Sequence, residues 1–153
     1  MSAVLAAIGL EAPDGSVRAT VCRSDGEVSK VGRRLMLHWR CPEKVARLVE
    51  HGAVESLGVD FEGPDELRTI PAAPEKTGRP FQFNDAEGFW HACAPRQGQV
   101  DAGWAYLLSA DGRWLLHAPD GERSTVAKAL MAQDREFTRR MPDGLVARSA
   151  RAG

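Results

Sequence analysis

The sequence has no run approaching the roughly 18 apolar residues of a membrane-spanning helix. It has no excess of one charge: 20 Lys and Arg face 21 Asp and Glu, a net of -1. A dedicated nucleic-acid-binding domain is usually strongly basic, so this balance argues against that class. Cysteine is scarce and odd in number, at Cys22, Cys41 and Cys93, which does not fit a closed set of disulfides. The apolar start, Met1 to Leu10, has no basic residue ahead of it and runs into Glu11, Pro13 and Asp14, unlike a secretory leader. These absences predict a cytoplasmic protein with reduced thiols. The phosphate loop G-x-x-x-x-G-K-S/T, the dinucleotide turn G-x-G-x-x-G and the hydrolase elbow G-x-S-x-G are also missing, so the common nucleotide and hydrolase motifs lend no support.

What is present has the size and balance of one globular domain. The chain has 153 residues, 43% hydrophobic and 27% charged, which excludes disorder along its whole length. Residues 1–140 read as a single α+β domain. Residues 141–153 lack periodicity, contain Arg148 and Arg151, and read as a flexible tail.

Ala3–Leu10 and Ser16–Arg23 flank Pro13-Asp14-Gly15, where Pro presets φ and Gly supplies a positive one, so they read as a β-hairpin. Val28, Val31, Leu35, Met36 and Trp39 fit one face of a helix, with Gly32 inside it. Pro42 suits the first turn of a second helix, Val45, Leu48 and Val49 form its stripe, and Gly52 suits its stop. Ala53–Pro80, punctuated by glycine and proline, reads as a long loop. Asp85–Cys93 reads as a short helix with Asn84 as a candidate cap. Trp104–Ser109 and Arg113–Ala118 flank Asp111-Gly112, a second hairpin, with Trp104, Tyr106, Trp114 and Leu116 on one face. Ser124 or Thr125 caps a last helix, striped by Val126, Leu130, Met131 and Phe137. The expected architecture is α+β: an antiparallel sheet of about four strands from two hairpins, with three to four helices on one face.

Residues 22–58 read CRSDGEVSKVGRRLMLHWRCPEKVARLVEHGAVESLG. This stretch resembles small proteins of phages, prophages and plasmids with the pattern C-H-W-D-G-Y-x-x-x-V-G-x-x-L-x-x-H-Y, then P-E-K-V-x-x-L-I-x-x-G-x-I-S-S-L-G. The matching positions are Cys22, Asp25, Gly26, Val31, Gly32, Leu35, His38 and, as an aromatic, Trp39. The second half matches at Pro42, Glu43, Lys44, Val45, Leu48, Gly52, Ser56, Leu57 and Gly58. Arg23, Ser24 and Glu27 depart from the pattern's His, Trp and Tyr. The resemblance implies a mobile-element accessory protein acting in a host cell, without naming a reaction.

Several residue groups have a chemical reading beside a structural one. Cys22 and His38, with Asp25 as orienting group, are a candidate nucleophile and base; the alternative is a buried cysteine and a packed histidine. His91 and Cys93 with Cys41 or Cys22 give a thin zinc set, lacking any Cys-x-x-Cys, and no metal or cofactor is expected. His51 and His117 read as surface or edge residues. The carboxylates Asp65-Glu66 sit in a proline-rich loop and read as solvated. Trp104, Tyr106 and Trp114 read as core in preference to a base-stacking platform.

Charge is segregated along the chain. Lys30, Arg33, Arg34, Arg40, Lys44 and Arg47 are opposed only by Glu43. Glu50, Glu55, Asp60, Glu62, Asp65 and Glu66 then follow with no Lys or Arg among them. Either cluster suits a macromolecular contact, or the two neutralise each other within the fold. The first expectation is a non-enzymatic accessory protein that binds a host protein or protein–nucleic-acid complex, inhibiting antiviral defence in the manner of an anti-CRISPR protein. Arg33, Arg34, Arg40 and Lys44, or Glu62, Asp65 and Glu66, would make the contact. The alternative is a small-ligand or nucleotide-binding module, or an enzyme, with its site at the turn Cys22–Gly32. Cys22, Asp25, Gly26, Gly32 and His38 would form that site.

Overall fold

A computed structural model describes residues 4–73, 80–93 and 103–140, the last five without their side chains. The expected tail at 141–153 and the side chain of Phe137 lie outside the described residues. The first hairpin forms as its sequence predicts. β1 (Ala6–Glu11) and β2 (Val17–Cys22) pair antiparallel, from Ala6 opposite Cys22 to Glu11 opposite Val17. Gly15 turns the chain at φ 90°, and Asp14 accepts bonds from the Ser16 amide and hydroxyl.

A π-helical turn, Val28–Gly32, runs into α1 (Arg33–His38). The single expected helix therefore starts with a wider turn, ending at the glycine. A Cβ on Gly32 would press on Val28 at 2.8 Å and on the Tyr106 ring at 3.3 Å. α2 (Pro42–His51) starts at its proline and stops at Gly52, whose φ is 91°. The segment expected as one long loop is partly strand. β3 (Val54–Ser56) pairs parallel to β2 at Cys22, and β4 (Ile70–Pro71) pairs antiparallel to β3. β5 (Phe81–Phe83) pairs antiparallel to the start of β2.

α3 (Ala86–Cys93) is capped by Asp85, not Asn84: the Asp85 carboxylate accepts the Gly88 amide at 2.7 Å. The second hairpin is β6 (Trp104–Leu108) and β7 (Trp114–His117), followed by β8 (Arg123–Thr125). α4 (Val126–Arg140) is capped by Thr125, whose hydroxyl accepts the Lys128 amide at 3.1 Å.

The sheet corrects the expectation of four antiparallel strands. It has eight strands among the described residues, in the order β4-β3-β2-β1-β6-β7-β8, with β5 on β2 beside β3. The two hairpins join through a parallel pair, β1 with β6, from Ala6 opposite Trp104 to Leu10 opposite Leu108. The sheet is therefore mixed, because a crossover of three helices and three short strands after the first hairpin brings β6 in beside β1 in the same direction.

The helices are not confined to one face either. Side chains alternate along a strand, and the alternation separates two cores. Ala6, Ile8, Cys22, Tyr106, Leu108, Trp114 and Leu116 pack with Val31, Leu35, Trp39, Val45, Leu48 and Val126 under the π-turn, α1, α2 and α4. Ala7, Val17, Ala19, Ala105 and Leu107 face the other way, where Phe89, Trp90 and Cys93 of α3 cover them. A sheet apolar on both faces must be covered on both.

Candidate functional site

The turn after β2 is built to bring β1, α1 and β6 together. Gly26 lies against the backbone: a Cβ there would stand 2.7 Å from Leu5 O and 2.8 Å from Val4 O. Its amide donates to Val4 O at 2.9 Å, and its carbonyl accepts the Tyr106 hydroxyl at 2.6 Å. Burial raises the Tyr106 pKa and keeps this phenol a donor. Asp25 is buried at a left-handed φ of 57°, a conformation that short polar side chains tolerate best. Its carboxylate faces Lys30 Nζ at 3.4 Å, and its carbonyl accepts the Val31 amide at 3.1 Å.

The chemical roles read for this turn do not assemble. Cys22 is fully buried in the larger core, where burial pushes its thiol up and its Sγ donates to Ser24 O at 3.3 Å. A thiol so placed is no nucleophile at neutral pH. His38 is exposed at the end of α1, and its carbonyl, not its ring, is bonded to Lys44. The Gly26 amide is spent on the fold, and Gly32 packs inside the helical turn. No group of three or more His, Cys, Asp or Glu able to hold a metal occurs among the described residues. No helix among them is long and apolar enough to cross a membrane.

The basic cluster is largely used internally. Lys44 Nζ donates to His38 O and Val59 O, both at 2.7 Å, and lies 4.4 Å over the Trp39 ring. Arg34 donates to Leu57 O at 2.8 Å. Arg33 meets Asp134 of α4 at 3.0 Å. Arg47 lies 5.0 Å over the Phe61 ring, and Arg18 pairs with Glu50. Arg40 is exposed in the link between α1 and α2. The residues grouped as one basic face are thus mostly engaged within the fold, and two of them, Arg34 and Lys44, strap α1 and α2 to the segment 57–60.

The acidic loop, residues 59–69, is held by its own backbone. Val59 N donates to Leu67 O at 2.7 Å, Thr69 N to Asp60 O at 2.8 Å, and Leu67 N to Pro64 O at 2.9 Å. The Thr69 hydroxyl accepts the Gly58 amide at 3.0 Å. Gly58 O accepts the Trp39 indole at 2.9 Å, and Trp39 O accepts the Trp114 indole at 2.9 Å, so the loop is wired to the core. A Cβ on Gly58 would overlap the backbone of Leu67 and Arg68. On this frame Glu62, Asp65 and Glu66 are exposed. Asp65 pairs with Arg68 at 3.0 Å, and Asp60 lies 3.9 Å from Lys44. Glu62 and Glu66 have no ion pair among the described residues.

The turn and the loop meet. A cleft of about 300 Å³ is lined by Asp25 and Arg34 on one side, Ser56 to Val59 along its floor, and Asp65 to Arg68 with Ile70 on the other. Asp25 and Ser56, Leu57 and Gly58 come from the two ends of the stretch 22–58, so residues more than thirty positions apart line one cleft. Sequence reasoning missed Leu67 and Ile70, which are exposed by 48% and 44% in this cleft. No periodicity marked them, because the loop is neither helix nor long strand. No family model, no curated protein and no solved structure matches the chain.

Proposed function

We propose that the chain is a small, non-enzymatic accessory protein of a phage or mobile element. It binds a host protein or protein–nucleic-acid complex and thereby restrains an antiviral defence. The observation that carries this reading is where unengaged charge collects: most of the cations are engaged within the fold, as are Glu50, Glu55, Asp60 and Asp65, while Glu62 and Glu66, with no ion pair among the described residues, stand together on one backbone-braced loop. A preformed anionic projection steers and orients a basic partner at little ordering cost. Surfaces that hold nucleic acid are basic, so defence effectors that grip nucleic acid offer what such a loop fits. The resemblance of residues 22–58 to phage and plasmid proteins supports the genomic setting. The buried Cys22 thiol and the absence of a catalytic constellation at its turn support a binding role over an enzymatic one.

The test is affinity capture from a nuclease-treated bacterial lysate with three forms of the protein. The wild type and R33E/R40E are expected to retain the same stoichiometric partner. E62K/E66K is expected to lose it with an unchanged thermal midpoint. A partner retained after both reversals overturns the proposal.

A further inference from the structure

We infer that the occupant of the cleft beside the acidic loop is a protein segment carrying Arg or Lys next to an aliphatic residue, and not a nucleic acid. This rests on the binding reading above and specifies its partner. Scattered exposed hydrophobics are ordinary. Leu37, Phe81 and Met131 are scattered in this way, on α1, β5 and α4. Leu67 and Ile70 differ, because both line one cleft of about 300 Å³. Its floor does not need to order on binding: Gly58 N to Thr69 Oγ1 and Val59 N to Leu67 O lock the two walls together. Contacts of this kind have an apolar centre and a polar rim.

The charges choose the occupant. Arg34, the cation at the inner wall, is turned onto Leu57 O, and Arg68 is turned onto Asp65. Glu62 and Glu66 remain at the loop, and Glu66 lines the cleft itself. A phosphate backbone approaching this loop meets the like charge of Glu62 and Glu66, and the two cations that line the cleft, Arg34 and Arg68, are already hydrogen-bonded or ion-paired within the fold. A guanidinium or ammonium meets opposite charge, and an aliphatic neighbour then covers Leu67 and Ile70.

The probe is a synthetic peptide alternating arginine and leucine, titrated into the isotope-labelled full chain and followed by amide shifts. An arginine–serine peptide of equal charge and a thymidine oligonucleotide are the controls. The arginine–leucine peptide is expected to shift the amides of residues 56–59 and 65–70, and the oligonucleotide to shift none of them. E62K/E66K and L67S/I70S replace exposed side chains, so thermal midpoints should hold, and each should weaken the arginine–leucine peptide about tenfold. Equal affinity for both peptides, shifts confined to other surfaces, or oligonucleotide binding in the cleft would each overturn the inference. Capture from lysate separates the two proposals. A partner lost by E62K/E66K but kept by L67S/I70S leaves the binding reading standing and defeats this one.

Discussion

Lys44 shows how a charged side chain is consumed by a fold. Its ammonium donates to two carbonyls, His38 O and Val59 O, and lies over the Trp39 ring, so it ties α1 to the start of the acidic loop. Charge-assisted bonds to backbone carbonyls contribute more than surface ion pairs. Lys44→Met keeps the apolar stem and removes the donors, and is expected to cost about 1.5–3 kcal/mol in urea unfolding. Arg40→Ala, at an exposed position in the same sequence cluster, is expected to stay within about 0.5 kcal/mol. Equal losses would mean that Lys44 is no strap. Gly58 makes the same point for the backbone. Gly58→Ala forces the loop off Val59, at an expected cost of about 1–3 kcal/mol, and should broaden amide signals of residues 59–69 while leaving α3 unmoved. The glycines at 26, 32 and 58 were legible as positions of the sequence pattern over residues 22–58. The reason for each, a backbone or ring pressed against the missing Cβ, was not, because it depends on partners distant in sequence.

At the scale of elements, both hairpins, the helix starting at Pro42 and the helix capped by Thr125 were legible, because each is set by local turn chemistry and periodicity. The parallel join of β1 to β6 was not, since nothing local fixes which strand of one hairpin meets the other. β3, β4 and β5 span two or three residues each, too short to show a period. The placement of α3 was misread because Ala7, Ala105 and Leu107 were not recognised as a second apolar face. Two-faced packing predicts that Phe89, fully buried on α3, is as costly to truncate as a residue of the larger core. Phe89→Ala should lose about 3–5 kcal/mol of unfolding free energy. A loss below about 1 kcal/mol is the surface value and would mean that α3 does not cover the sheet. The same face carries a pH dependence. His117 is buried beside Trp90, and its Nδ1 has no hydrogen-bond partner among the described residues. Burial, then the Arg123 cation, lowers its pKa below the ordinary 6.5, while Asp120 and Glu87 oppose that shift. The folded state thus prefers the neutral ring, and the contribution is full above 6.5. It is lost as pH falls from 6.5 through the lowered value of the folded protein. The difference in stability between wild type and His117→Phe should therefore shift against the wild type over that acid range and stay flat above it. A difference independent of pH would show that the ring does not titrate against the fold.

As a whole molecule the protein is one sheet shared by two unequal cores, and its three cysteines report on them separately. Cys41 is exposed at the start of α2, Cys22 lies in the larger core, and Cys93 ends α3 in the smaller one. Burial pushes the Cys93 thiol up to about 12 and raises that of Cys22 as well, so neither reacts while covered. A thiol reagent at neutral pH is therefore expected to label Cys41 at once, and the other two only through opening of the structure. α3 has eight residues and is the one helix on its side of the sheet among the described residues, whereas Cys22 lies beneath the π-turn, α1 and α2 together. Local opening is cheapest where the fewest apolar contacts break. Cys93 should consequently label before Cys22, at a rate that Phe89→Ala accelerates and Lys44→Met leaves alone. Mass spectrometry of peptides from timed alkylation reads all three sites in one experiment. Simultaneous labelling of Cys22 and Cys93 would mean that the two faces open only with global unfolding. Labelling of Cys22 first would mean that the helices on the larger core are the weaker cover, which the packing described here contradicts.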